Sequence, residues 1–201
     1  MFDHAFLAAI ETVRRSFHDA MLDHETGDER FQSDLFAGDL AWETSYALPG
    51  EGRPPRVRAD LTLDWPTWSQ TAYRSWHLEG ELDEPAELGI EIVLRVQQLA
   101  GAPDVEAIRR ILADEGPDLG NERLRRSPPT IEQAFDDDLR SLGWAVEFAY
   151  DGTYELNEAA FAEHVAMEPV LGALGPWVAS VLVRLGDLRL AFMPPQSAAD
   201  G

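Results

Sequence analysis

The chain has 201 residues, of which 45% are hydrophobic, and its formal net charge is −21. This hydrophobic fraction excludes a disordered chain and suits a globular protein with one sizeable core. Acidic residues (37) outnumber basic ones (16, all arginine), so nucleic acids and anionic membranes are disfavoured as partners. Cysteine is absent, which excludes disulfides and thiolate metal sites and favours a cytoplasmic location. No apolar run approaches the length that a bilayer span needs.

The first half of the chain predicts one helix followed by strands. Apolar residues at helical spacing predict an amphipathic helix over residues 2–22. Apolar and polar residues alternate over 39–48, 56–65 and 89–97, which predicts antiparallel strands with one polar face. Segment 67–79 has apolar residues at helical spacing but also the composition of a strand, and we favour the strand.

The sequence from residue 103 to residue 142 predicts a helix, a linker and a second helix. Pro103 opens a short helix, which Gly116 and Pro117 end. The turn-rich residues 117–129 predict a linker. Thr130 and Gln133 have the spacing of a capping box, and the apolar residues that follow predict a helix over 130–142.

The strongest local signal is the hairpin pattern in Trp144–Leu156. Asp151 and Gly152 tolerate the positive φ angles of a two-residue turn, and strand-prone residues flank them on both sides. We therefore predict a hairpin that turns at Asp151–Gly152, followed by a helix that Asn157 caps.

The last structured segment has two interpretations. Pro176 and Gly186 frame a helix over 176–185, whereas the β-branched valines between them favour a hairpin that turns at Gly186–Asp187. We favour the helix because the framing is local and specific.

These elements predict an α+β fold, with helices packed on one face of a mainly antiparallel sheet. We treat residues 1–201 as a single domain. The alternative is a division into 1–116 and 130–193, joined by the linker 117–129.

Three residues are candidates for catalysis. His164 and Glu168 lie four positions apart on the predicted helix after Asn157, where a carboxylate can orient an imidazole as a general base. His77 could approach from the sheet. This arrangement would suit a small hydrolase or lyase with its site in a cleft between helix and sheet. We favour an ordinary helical ion pair for the first two residues, since the sequence places no nucleophile next to them.

A candidate interface comprises Trp68, Arg74 and Trp76. If 67–79 is a strand, these three side chains share one face, and aromatic residues with arginine are enriched at protein interfaces. A packed core face is the alternative.

The sequence gives little support for a cofactor site or a metal site. The chain has no P-loop, no dinucleotide-binding glycine pattern and no nucleophile elbow, so we predict no cofactor. His18, Asp19 and the run 23–25 are ligand-type residues, but they do not converge on one helical face, so we predict no metal site.

The charge favours a non-catalytic interaction protein of the inhibitor, immunity, chaperone or adaptor type. Its acidic surface would attract a basic protein partner. Two alternatives stay open: the enzyme described above, and a domain that binds a small apolar ligand in the sheet concavity above Ala145 and Ala149.

Overall fold

The computed structural model describes residues 2–21, 30–36, 39–48, 54–79, 85–136, 141–157, 160 and 164–194. Within these ranges eight strands form one antiparallel sheet: β1 (Arg30–Phe36), β2 (Asp39–Ala47), β3 (Val57–Trp65), β4 (Ala86–Leu99), β5 (Glu115–Asp118), β6 (Arg123–Arg126), β7 (Thr130–Asp136) and β8 (Ser141–Leu156). The described helices are α1 (Phe2–Ala20), α2 (Thr67–Glu79), α3 (Val105–Arg109), α4 (Glu168–Leu171) and α5 (Leu174–Gly186), and a 3-10 helix spans His164–Met167.

The two longest strands, β4 and β8, lie side by side in the middle of the sheet. The strand order is β1-β2-β3-β4-β8-β6-β5, and β7 pairs with β8 on the edge that β6 also uses. All pairings are antiparallel. The predicted α+β class is therefore confirmed.

One face of the sheet carries the core, and we call it the core face. Along β3 every second side chain is buried, from Val57 to Trp65, and β4 and β8 show the same alternation. Helices α1, α2 and α5 supply the apolar side chains that pack against this face. The predicted helix over 2–22 and the strands over 39–48, 56–65 and 89–97 are confirmed.

The strand that we favoured for 67–79 is wrong, because this segment forms α2. Buried polar contacts at its start favour the helix. Ser69 accepts a hydrogen bond from Trp65 Nε1 at 2.9 Å and donates one to the Glu87 carbonyl at 2.7 Å. Gln70 Nε2 donates to the Trp65 carbonyl at 2.8 Å, so the first turn is tied to both β3 and β4.

The hairpin that we predicted at Asp151–Gly152 is also wrong, because β8 runs straight through these residues. Asp151 pairs with Glu91 and Gly152 pairs with Ile90, so β4 continues the ladder past the expected turn. Gly152 does not have a positive φ angle. The residue is small for another reason: a Cβ there would lie 2.9 Å from Leu119 Cδ1.

A double-mutant cycle tests this explanation of Gly152. Gly152→Ala should lower the free energy of unfolding by about 1 to 2 kcal/mol because the new methyl group overpacks against Leu119. In a Leu119→Ala background the same change should cost at least about 0.5 kcal/mol less, since the two sites are in contact. Urea unfolding of the four proteins measures the coupling. A cost that is independent of residue 119 would point to backbone strain at a turn instead.

The predicted linker and the helix after it form strands. Residues 117–129 contribute most of β5 and β6, and 130–136 form β7, which pairs with the first half of β8. Ser127 N still donates to the Ala149 carbonyl at 2.9 Å, but Pro128 and Pro129 have no N–H to donate. The prolines therefore separate β6 from β7 along one edge of β8.

The helix that we favoured near the C-terminus is confirmed as α5. The stretch Glu168–Gly186 is long and apolar enough to cross a membrane by length and composition. This finding differs from the expectation that no apolar run approaches the length of a bilayer span. Its buried residues include Leu171, Leu174 and Val178, which belong to the core. A core helix passes the same test, so this stretch does not indicate where the protein resides.

Two buried tyrosines of β8 predict a loss of stability at alkaline pH. Burial raises the pKa of Tyr150 above its usual value of 10.0, although Arg126 opposes the shift, and burial raises the pKa of Tyr154 as well. The stability that the neutral phenols contribute is therefore fully present below pH 10 and is lost as the pH rises through the raised values. Urea unfolding at several pH values up to 11 should show this decline, and Tyr150→Phe should flatten it. An unchanged slope in that variant would contradict the assignment.

Candidate functional site

The face of the sheet opposite the core carries a group of carboxylates on neighbouring strands. We call it the open face and define it by the side chains of β2, β3, β4 and β8 that alternate with the buried ones. Among the described residues, its carboxylates are Glu43, Asp60, Asp64, Glu87, Glu91, Glu147, Asp151 and Glu155. Strand alternation places them there, since each apolar residue turned to the core leaves a polar neighbour on the other side.

The strand register aligns four of these open-face positions in one row with Arg125 of β6. Glu43 pairs with Thr62, Thr62 with Glu91, Glu91 with Asp151, and Asp151 with Arg125 of β6. Glu91 and Asp151 are therefore direct cross-strand neighbours of like charge. Such an arrangement destabilises a sheet.

A second part of the open face is neutralised by arginine. Arg95 Nη2 lies 2.8 Å from Glu132 Oε2, and Arg95 Nη1 also binds Glu147. Burial lowers the pKa of Arg95, but its hydrogen bonds to the two glutamates outweigh this, so the net pKa is raised. Arg58 Nε lies 2.9 Å from Asp60 Oδ2. The pairs of Arg95 join β4 to β7 and β8, whereas the pair of Arg58 with Asp60 lies within β3.

A cavity of about 380 Å³ opens on the same face, and we call it the Gly89 cavity. It lies where Gly89 leaves a gap between Asp64 of β3 and Thr153 of β8, its cross-strand neighbours. Its charged lining comprises four carboxylates and one arginine: Asp64, Glu91, Glu122, Asp151 and Arg125.

The acidic residues of this cavity differ from those around Arg95. Within the described part of the chain, Glu91 has no ion pair, and Asp151 accepts only the hydroxyl of Ser127, at 3.1 Å. Glu122 accepts the backbone N–H of Thr153 at 2.7 Å, which fixes the loop before β6 beside the cavity. The lining of the cavity thus carries four carboxylates against one arginine, and Glu91 and Asp151 form no ion pair within the described ranges.

The structure describes one of the three predicted catalytic side chains. Glu168 begins α4 and forms an ion pair with Arg15 of α1, with Nη2 2.5 Å from Oε1. His164 lies in the 3-10 helix and His77 in α2, and their side chains are outside the described residues. The predicted catalytic group therefore stays untested, and its one described member, Glu168, pairs with Arg15 of α1, a partner that the sequence did not predict.

The structure does not bring the predicted interface residues into one row. Because 67–79 is helical, Arg74 and Trp76 project on different sides of α2. Trp68 is half exposed, and Trp76 is partly buried beside Tyr73, with ring centroids 6.1 Å apart. Whether any of the three binds a partner stays a prediction.

No group of three or more His, Asp or Glu residues within the described ranges is arranged to hold a metal ion. His18 and Asp19 lie in the last turn of α1, and 23–25 are outside the described residues.

The Gly89 cavity was not predictable from the sequence pattern, because Asp151 has the chemistry of a turn residue. Alternation had already turned Asp64 and Glu91 to the polar face of neighbouring strands. No local pattern predicted that β8 continues through Asp151. This continuation brings Asp151 and Thr153 beside Asp64 and Glu91.

No family model, curated protein or solved structure matches this chain. The geometry and charge of the open face therefore carry the functional assignment.

Proposed function

We propose that the protein is a non-catalytic binding domain whose open face recognises a basic protein. The observation that supports this most is the row across five strands in which Glu43, Thr62, Glu91 and Asp151 of the open face align with Arg125 of β6. Carboxylates that face solvent on a rigid sheet offer a fixed negative surface to a partner of opposite charge.

The net charge of −21 extends this local field over the whole molecule. A field of this sign accelerates the approach of cationic surfaces and slows that of polyanions. A basic protein therefore fits better than a nucleic acid or an anionic membrane. At physiological salt the field is screened within about 8 Å, so the binding should weaken steeply as salt is added.

The experiment is a capture of basic proteins from lysate by three immobilised forms of the protein: the wild type and two variants. The open-face variant carries three neutral substitutions: Glu43→Gln, Glu91→Gln and Asp151→Asn. The control variant loses the same charge outside the sheet: Glu11→Gln, Glu106→Gln and Asp187→Asn.

We expect the open-face variant to retain at least about tenfold less of a salt-sensitive basic partner than the control does, since the lost charges would lie in the interface. Equal losses in both variants would show that only total charge matters, and this would contradict a specific face. Capture that is insensitive to salt would contradict an electrostatic mode of binding.

The alternative functions have less support. The Gly89 cavity is lined mainly by charged residues, threonines and glycines, and neither Ala145 nor Ala149 lines it, so the predicted site for an apolar ligand above these alanines stays a prediction. The enzyme hypothesis needs His77 and His164 beside Glu168, and this stays untested. A cytoplasmic location, inferred from the lack of cysteine, is part of the proposal as well.

A further inference from the structure

We propose that the Gly89 cavity receives an arginine side chain of the basic partner, an inference that rests on the function proposed above. The cavity lies within the open face, and its volume of about 380 Å³ is within the range of sites for small ligands. It would therefore anchor one side chain, while the surrounding face provides long-range attraction.

The geometry of the cavity suits a planar cation. Glu91 and Asp151 are direct partners on β4 and β8, so their Cβ atoms lie about 4.5 to 5.5 Å apart. A guanidinium group presents five N–H donors in one plane and can bind two carboxylates along different edges. The hydroxyl groups of Thr62 and Thr153 line the same cavity and can accept further hydrogen bonds.

The floor of the cavity leaves room for such a group. Gly89 has no side chain on the open face, and a Cβ added there would lie 3.5 Å from the Asp64 carbonyl oxygen. The gap lets a ligand approach the backbone of β4 between its two neighbouring strands. Arg125 lines the β6 side of the cavity as the cross-strand neighbour of Asp151 but forms no ion pair with it among the described residues, so one positive charge faces four carboxylates.

The like-charge pair is costly unless a cation lies between its two carboxylates. Asp60 and Glu147 of the open face are paired with Arg58 and Arg95, whereas Glu91 and Asp151 form no ion pair among the residues that the structure describes. A guanidinium group would supply the missing positive charge. The free protein would then be less stable because of the same two residues that bind the partner.

The chain offers a matched control for this pair. Glu87 and Glu155 are also direct partners on β4 and β8 and also carry like charges, but neither lines the cavity. Glu91→Gln with Asp151→Asn and Glu87→Gln with Glu155→Gln therefore remove the same charge from the same two strands. Both double variants should unfold at higher temperature than the wild type.

The binding test uses N-acetyl-arginine amide as the probe and N-acetyl-citrulline amide, which is similar in shape but uncharged, as its control. NMR titration should show saturable shifts of the Gly89 and Thr153 amides with the arginine probe and none with the citrulline probe. The Glu91→Gln/Asp151→Asn protein should bind the arginine probe at least about tenfold more weakly, and the Glu87→Gln/Glu155→Gln protein within about twofold of wild type.

Equal weakening in both double variants, or equal binding of the citrulline probe, would overturn the proposal. Absence of a saturable shift in the wild type would overturn it too. These results are distinguishable from failure of the proposed function, because salt-sensitive capture by the whole open face is measured separately and does not require the cavity.

Discussion

Gly175→Ala should lower the free energy of unfolding by about 3 kcal/mol or more, at the upper end of the cost of overpacking a core. Gly175 is buried where α5 crosses α1. An added Cβ would lie 2.2 Å from the backbone nitrogen of Phe17 and 2.3 Å from Ser16 Oγ. A backbone atom cannot rotate away, so the two helices would have to separate. Thermal unfolding should shift down by roughly 6 to 12 °C for a chain of this size.

Gly101→Ala is the control for this change. A Cβ at Gly101 meets nothing within 4 Å, and its φ angle is not in the left-handed region. The substitution should therefore alter the free energy of unfolding by no more than about 0.5 kcal/mol. A loss below about 1 kcal/mol for Gly175→Ala would contradict the close crossing of α1 and α5.

Arg95→Met should be the second large effect, with a loss of about 2 to 3 kcal/mol in the free energy of unfolding. The side chain of Arg95 is only 21% exposed, and it bridges Glu132 of β7 and Glu147 of β8. Methionine keeps the apolar stem but leaves two neighbouring carboxylates without their cation. Breaking a buried pair by removing one partner costs about 3 to 5 kcal/mol, and partial exposure reduces that figure here.

Two comparisons separate the ion pairs from other effects of losing Arg95. Arg109→Met removes the exposed pair with Glu106, where the two atoms lie 3.6 Å apart, and should cost no more than about 0.5 kcal/mol. Adding Glu132→Gln and Glu147→Gln to Arg95→Met should restore most of the lost stability. If the triple variant is no more stable than Arg95→Met, the uncompensated carboxylates are not the cause. Urea unfolding of the four proteins measures all of these differences.

Periodicity predicted the elements whose own residues decide their structure. The stripe of α1 and the alternation of β2, β3 and β4 follow from residues that face one side of a single element. The helix α5 was similarly predicted from a proline near its start, Pro176, and a glycine at its end, Gly186. For these elements the local preference and the tertiary contacts agree.

The errors occur where pairing between distant residues overrides a local signal. Asp151–Gly152 has the chemistry of a turn, but β4 extends the ladder beyond it, and Gly152 instead serves close packing against Leu119. The capping-box pattern at Thr130 predicted a helix, but the segment forms β7 and pairs with β8. Propensity is a weak guide when a long neighbouring strand provides hydrogen bonds to a segment.

The candidate site was only partly predictable for the same reason. The outward positions of Asp64 and Glu91 follow from alternation within β3 and β4. The register that sets Glu91 against Asp151 depends on the pairing of β4 with β8, which no local pattern specifies. The negative character of the surface was therefore predictable, whereas the cavity within it was not.

The most direct measurement of the central claim is an NMR footprint of a captured basic partner on the isotopically labelled protein. We predict that the amides of β3, β4 and β8 shift around Thr62, Glu91 and Thr153, and that those of the solvent side of α5 do not. A footprint confined to the helices, with the open face unchanged, would contradict the account.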